Sequence, residues 1–139
     1  MSEVLITNAS PGIFTLRGDG TGVPLGSLVA GLDDGSTVSM QPYECSKTGC
    51  APASVPLPAN ATDLYVVLYG TGIRNYRSIS ASLGAFKPEV LYVGAHAQFP
   101  GLDQINLHLK APFALGGTQT LQLQVDGIPS NAVSVEFQN

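Results

Sequence analysis

Three segments near the end of the chain alternate apolar and polar residues with a period of two. Ile105, Leu107 and Leu109 interleave with Asn106, His108 and Lys110. Leu121, Leu123 and Val125 interleave with Gln122, Gln124 and Asp126, and Val133, Val135 and Phe137 with Ser134, Glu136 and Gln138. Ile79, Ala81 and Leu83 repeat the pattern against Ser78, Ser80 and Ser82. Successive side chains of a strand point to opposite faces, so each segment offers one face to a core and one to water. No helical periodicity competes with this reading. The 16 Gly and 10 Pro supply turns, and both residues are costly in helix interiors.

Leu64–Tyr69 is apolar on both faces and predicts a central strand covered on both sides, with the N-terminal segment as one cover. Val4–Ile6, Ile13–Leu16, Ser27–Leu32 and Thr37–Tyr43 are shorter strand candidates. Asp19-Gly20, Asp34-Gly35 and the Cys45–Cys50 loop read as turns between them. Asp126-Gly127 predicts a tight type I′ hairpin. Gly116-Gly117 predicts a second hairpin-like break, and Ala114-Leu115 at most one helical turn. About 8–10 strands of this length need two packed sheets to bury their apolar faces. The expected fold is all-β: an Ig-like antiparallel β-sandwich with an N-terminal β extension packed on it. Residues 1–139 form one domain, with a Pro-rich boundary at Pro52–Pro58 between an N-terminal β part (1–52) and an Ig-like core (59–139).

Only 12% of residues are charged and the net charge is −4; an average soluble domain is about 25% charged. Six scattered Lys and Arg give no basic stripe for a phosphate backbone, which argues against nucleic acid and anionic membrane partners. The longest apolar run, Leu64–Tyr69, is six residues, far below the ~20 of a membrane-spanning helix. Met1-Ser2-Glu3-Val4 has neither the basic region nor the apolar core of a signal peptide. The chain is therefore read either as a protein that stays inside or as a mature or excised segment of an exported one.

Cys45 and Cys50 flank Ser-Lys-Thr-Gly, which can bring them together. A disulfide there would contribute about 2 kcal/mol through loop entropy, and the uncharged, β-rich composition favours the oxidising compartment where such bonds persist. The alternatives are two free thiols, or a zinc site with His96 and His108, whose spacing is unusual for that metal.

Phe99-Pro100-Gly101-Leu102-Asp103-Gln104-Ile105-Asn106 is the most distinctive local string. Pro-Gly sets a turn. Asp103 is placed to accept backbone N–H groups and Asn106 to satisfy a strand end; the competing reading makes both of them sugar or calcium ligands. Arg74, in Tyr69-Gly70-Thr71-Gly72-Ile73-Arg74-Asn75, is expected to pair with Asp103 across a loop cluster, so Arg74, Asp103 and Asn106 are the candidate binding residues. The Gly-rich strings at 18–22 and 70–72 lack the Lys-Ser/Thr of a phosphate loop and read as turns. Asp19, Asp33 and Asp34 are weak calcium candidates, short of the six to eight oxygens that ion takes. A hydrolase would have to draw on His96, Asp103 and Arg74, without any nucleophile-elbow or Ser-x-x-Lys motif in the chain. Asn8-Ala9-Ser10 and Asn60-Ala61-Thr62 match glycosylation acceptors.

Val90-Leu91-Tyr92-Val93-Gly94, Pro100 to Asn106 and Val125-Asp126-Gly127-Ile128-Pro129-Ser130-Asn131 together resemble the C-terminal β-module of Solibacter-type acidobacterial secreted proteins. Pro11-Gly12-Ile13-Phe14-Thr15 with Gly18 to Gly22, and Leu68 to Arg74, fit a longer form of it, so the likeness runs from Asn8 to Val135. One departure is Gly84-Ala85, where the module pattern has a glycine pair. The resemblance implies an Ig-like fold, export and attachment at the end of long surface or secreted proteins, and it carries no activity or catalytic residues. The expected function is a non-catalytic extracellular interaction or accessory module, engaged in adhesion, carbohydrate or protein contact, with exposed sheet edges open to strand addition. The competing function is a small secreted hydrolase of ester, lactone or glycoside substrates, with calcium as its only cofactor candidate.

Overall fold

The structure is a computed structural model that describes residues 11–99 and 101–138. The strand candidate Val4–Ile6 and the acceptor Asn8 lie outside the described residues, as does Pro100. Alternation of apolar and polar residues becomes strand wherever it was read. The elements are β1 (Gly12–Ile13), β2 (Gly26–Leu32), β3 (Thr37–Met40), β4 (Tyr43–Ser46), β5 (Gly49–Pro52), β6 (Ala61–Thr71), β7 (Ile79–Leu83), β8 (Glu89–Ala95), β9 (Asp103–Lys110), β10 (Gly117–Val125), β11 (Ile128–Pro129) and β12 (Val133–Phe137). The described residues contain no helix, so 111–116, including Ala114-Leu115, is irregular.

The larger sheet runs β3-β2-β6-β9-β8, with β1 paired to the end of β6. The smaller sheet centres on β10, which pairs with β7, β11 and β12. All of these pairings are antiparallel. The sheets pack face to face through one core. Leu28, Leu64, Val66, Leu68, Ile105 and Leu107 come from one side, and Leu83, Leu121, Leu123, Val133, Val135 and Phe137 from the other. Burying these side chains drives the sandwich, at roughly 1.5–3 kcal/mol each. The N-terminal part joins by strand pairing: β2 continues the larger sheet in register with β6, Ser27 opposite Val67 and Val29 opposite Tyr65.

Three expectations change. β6 is central, but within Leu64–Tyr69 only Leu64, Val66 and Leu68 are buried; Tyr65 on the opposite face is 36% exposed. Among the described residues the N-terminal strands β1 and β2 pair beside β6, so an unbroken apolar run marks a central strand without marking a doubly covered one. Gly116-Gly117 is a crossover between sheets rather than a hairpin, because β9 and β10 belong to different sheets. The Cys loop is a hairpin of its own, β4 paired with β5. Asp126 and Gly127 have φ of 52° and 79°, as a type I′ turn requires, and they close β10 onto β11.

Candidate functional site

The Cys45 and Cys50 sulfurs are bonded, their Cα atoms 3.9 Å apart at directly opposed positions of β4 and β5. Both sulfurs are consumed, which removes the free-thiol and zinc readings. A surface hairpin lacks a core of its own, and the cross-link supplies a local restraint.

Residues 72–78 carry the chain from β6 in one sheet to β7 in the other, and two aspartates fasten this crossing. At its start, the Asp103 carboxylate accepts the Ile73 and Arg74 backbone N–H groups at 2.8 and 3.1 Å. The Arg74 Nε donates to the other Asp103 oxygen, and Arg74 Nη2 to the Leu102 carbonyl at 3.2 Å. At its end, Asp126 accepts the Arg77 and Ser78 N–H groups at 2.7 and 2.8 Å. Those two N–H groups, Ser78 first, hold the Asp126 carboxyl below its ordinary range. The expected Arg74–Asp103 pair is present; Asp103 is buried, and both its oxygens are engaged by this crossing.

Asn131 performs the same service for the N-terminal segment. Its amide oxygen accepts the Ile13 N–H at 2.7 Å, and its Nδ2 donates to the Ile13 and Gly20 carbonyls. Sequence reasoning quoted Asn131 without giving it a task; a lone Asn after Pro-Ser carries no sign of a partner 118 residues away.

His96 follows β8, and its N–H donates to the Leu102 carbonyl at 2.8 Å, the oxygen that Arg74 Nη2 also reaches. Its Nδ1 accepts the Gln98 and Phe99 N–H groups at 3.0 and 3.3 Å, and its ring packs against Tyr69 and Phe99. The Leu102 N–H donates to the Phe99 carbonyl at 2.9 Å, closing the turn expected there. The calcium candidates serve separate turns. Asp19 accepts the Thr21 N–H and hydroxyl, Asp34 the Ser36 hydroxyl and N–H, and Asp33 the Asn60 side-chain amide. Asp19 and Asp34 are lowered by these bonds, Asp19 chiefly by the Thr21 N–H and Asp34 chiefly by the Ser36 hydroxyl. Among the described residues no three potential metal ligands gather.

The outer face of the larger sheet brings together residues whose joint placement the sequence leaves open. Register aligns Tyr65 with His108, Val67 with Asn106 and Tyr69 with Gln104 across β6 and β9, then Asn106 with Tyr92 and Gln104 with Gly94 across β9 and β8. Tyr65 and His108 stack with ring centroids 4.7 Å apart and planes 15° from parallel. His108 Nε2 lies 2.7 Å from Asp63 Oδ1; this bond, then the Thr62 hydroxyl, holds the Asp63 carboxyl below its ordinary range. Gln104 Nε2 donates to Asn106 Oδ1 at 3.0 Å. Tyr92 lies along its own strand over Gly94, its hydroxyl donating to the Ala95 carbonyl at 3.1 Å. A Cβ at Gly94 would sit 2.6 Å from the Tyr92 hydroxyl oxygen and 2.9 Å from its Cζ, so the bare backbone at Gly94 is what lets the ring lie down. Tyr92 is 44% exposed in this position. The surface is therefore a shallow platform of aromatic rings and amides, with Asn106 one of the residues singled out from the sequence.

No family model, curated protein or solved structure matches the chain.

Proposed function

We propose that this protein is a non-catalytic, Ig-like interaction module of an exported protein, and that it contacts neutral carbohydrate through the outer face of the larger sheet. The observation that carries the reading is Tyr92 lying over Gly94 beside Asn106 and Gln104, with the Tyr65–His108 stack next to them. A pyranose ring has an apolar C–H face and a rim of hydroxyls. A flat-lying tyrosine covers the first, since its ring is apolar and its hydroxyl polar. Side-chain amides, each with two donors and an acceptor, meet the second. The charges on this face include Asp63, which the His108 ring nitrogen contacts. Glu89 and Lys110, in register with His108 and Asp63, share the face, so acid and base are mixed on it, in a chain whose charged fraction is only 12%. The disulfide supports an oxidising compartment, and the resemblance to C-terminal modules of secreted acidobacterial proteins supports export.

A microbial and plant glycan array, followed by affinity electrophoresis with the soluble polysaccharides that score, tests this. Tyr92→Ala and Tyr65→Ala should each weaken retention about tenfold, the size of a modest hot spot of about 1.4 kcal/mol. The reading falls if no glycan is retained, or if retention is unchanged in both variants.

A further inference from the structure

Sheet edges are where a β-sandwich can accept another strand, and the described edges of this one are unequally protected. β8 carries Glu89 and a register shift between Val90 and Tyr92. On β7, Leu83 is bonded twice to Phe86, and the chain then turns through Lys87-Pro88. β12 is covered at its end by Val55, which bridges Phe137 and is followed by Pro56. Bulges, charges and prolines are the usual means of blunting an edge. β3, Thr-Val-Ser-Met, has none of them and, among the described residues, pairs only with β2.

Its free groups can be assigned. The Leu32 N–H donates to the Ser36 carbonyl at 2.9 Å, and residues of an antiparallel pair alternate between facing the partner strand and facing away. Ser36, Val38 and Met40 therefore face β2, while the N–H and C=O groups of Thr37 and Ser39 point outward. Thr37 and Ser39 are exposed. A groove of about 580 Å³ runs beside Ser39, lined in part by Val38, Tyr43, Ala53 and Ser54. Val38 belongs to the inward row of the sheet, opposite Ala30, yet is 36% exposed: no described strand continues the row beyond it.

We infer that the β3 edge is a docking strip for an extended peptide, which adds as a further antiparallel strand with an apolar side chain opposite Val38 and polar ones opposite Thr37 and Ser39. Alternating donors and acceptors are matched by extended backbone, and main-chain pairing of this kind supplies affinity while alternate side chains supply selectivity. Charge selects the occupant. The strip is flanked by Asp33 and Asp34 before it and Glu44 after it. In antiparallel self-pairing centred on Val38, with Thr37 of one copy opposite Ser39 of the other as the outward groups require, the end of one strip that carries Asp33 and Asp34 meets the end of the other that carries Glu44, acid against acid. A peptide with basic residues at its ends meets opposite charge at both. This site is independent of the carbohydrate platform, and its test contains no glycan.

The probe is the synthetic peptide Lys-Thr-Val-Thr-Val-Thr-Lys, with amide hydrogen exchange read by NMR on the whole protein. Saturating peptide should slow exchange at Thr37 and Ser39 at least tenfold. N-methylation of its threonines, which removes the donors facing β3, should abolish the slowing; N-methylation of its valines should not. Replacing both lysines by glutamate should weaken binding at least fivefold at low salt. Ser39→Pro deletes an outward N–H without touching the β2–β3 ladder and should remove binding. The proposal is overturned if millimolar peptide leaves Thr37 and Ser39 unprotected. It is equally overturned if threonine-methylated peptide protects them as well as the parent does. Protection that appears without peptide, alongside a dimer in sedimentation equilibrium, would make a second copy the occupant and overturn it too.

Discussion

Removing the Asp103 carboxylate should be the most damaging polar substitution in this protein, and removing Arg74 should not match it. Asp103 has 3% of its side chain exposed and Arg74 34%. In Asp103→Ala, the Ile73 N–H loses its acceptor at a fully buried position, the Arg74 N–H loses its own, and the guanidinium loses its counter-charge. Breaking a buried charged network from one side costs about 3–5 kcal/mol. In Arg74→Ala, the carboxylate keeps both backbone donors and water reaches the vacated side, so the loss is about 1–2 kcal/mol, the scale of one charged hydrogen bond. Unfolding entropy of about 2.1 cal/mol/K per residue over 139 residues converts each kcal/mol into about 3 °C. Asp103→Ala should therefore lower Tm by about 10–17 °C and Arg74→Ala by about 3–7 °C. The double variant should lose less than the sum of the two single variants, because the arginine's bond to the carboxylate is already gone in Asp103→Ala and only its other contacts, the Leu102 carbonyl among them, remain to be lost. Urea unfolding of the four proteins measures this cycle. Equal losses for the two single variants, or a loss under about 1 kcal/mol for Asp103→Ala, would refute the assignment of Asp103 as the clamp of the 72–78 crossing.

Three further outcomes follow from other contacts. Gly94→Ala forces the Tyr92 ring off its strand; it should weaken glycan retention as much as Tyr92→Ala while costing no more than about 1 kcal/mol of stability, and wild-type retention would refute the platform. Reducing Cys45–Cys50 should lower Tm by less than about 7 °C, since the hairpin adds little to the core, yet speed tryptic cleavage after Lys47; cleavage unchanged by reduction would sink this. The Asp126 carboxyl is held below its ordinary 3.8 by the Ser78 and Arg77 N–H groups, so its stabilisation is complete above that value and is lost as pH falls through the lower, folded-state one. Asp126→Asn keeps an acceptor and tolerates the positive φ, so its stability should fall less steeply than wild type as a urea series moves from about pH 5 to about pH 2, and identical slopes would exclude the role.

Alternation by itself determined the layers of this protein. Ile105 to Leu109, Leu121 to Val125 and Val133 to Phe137 enter the core with the faces the sequence pattern assigns them, because a period of two admits no other face once the strand forms. The Asp126-Gly127 turn was equally legible, since few residue pairs tolerate two positive φ values. The Arg74–Asp103 pair could be anticipated from loop chemistry, but its burial beneath the 72–78 crossing could not. Which strands become neighbours, and in what register, is a long-range outcome that local pattern does not encode. Register set Tyr92 beside Asn106, left Tyr65 of β6 exposed, gave Asn131 its partner at Ile13 and, among the described residues, left β3 paired on one side only. Local sequence fixes where each side chain points; only the packed sheets decide what it meets there.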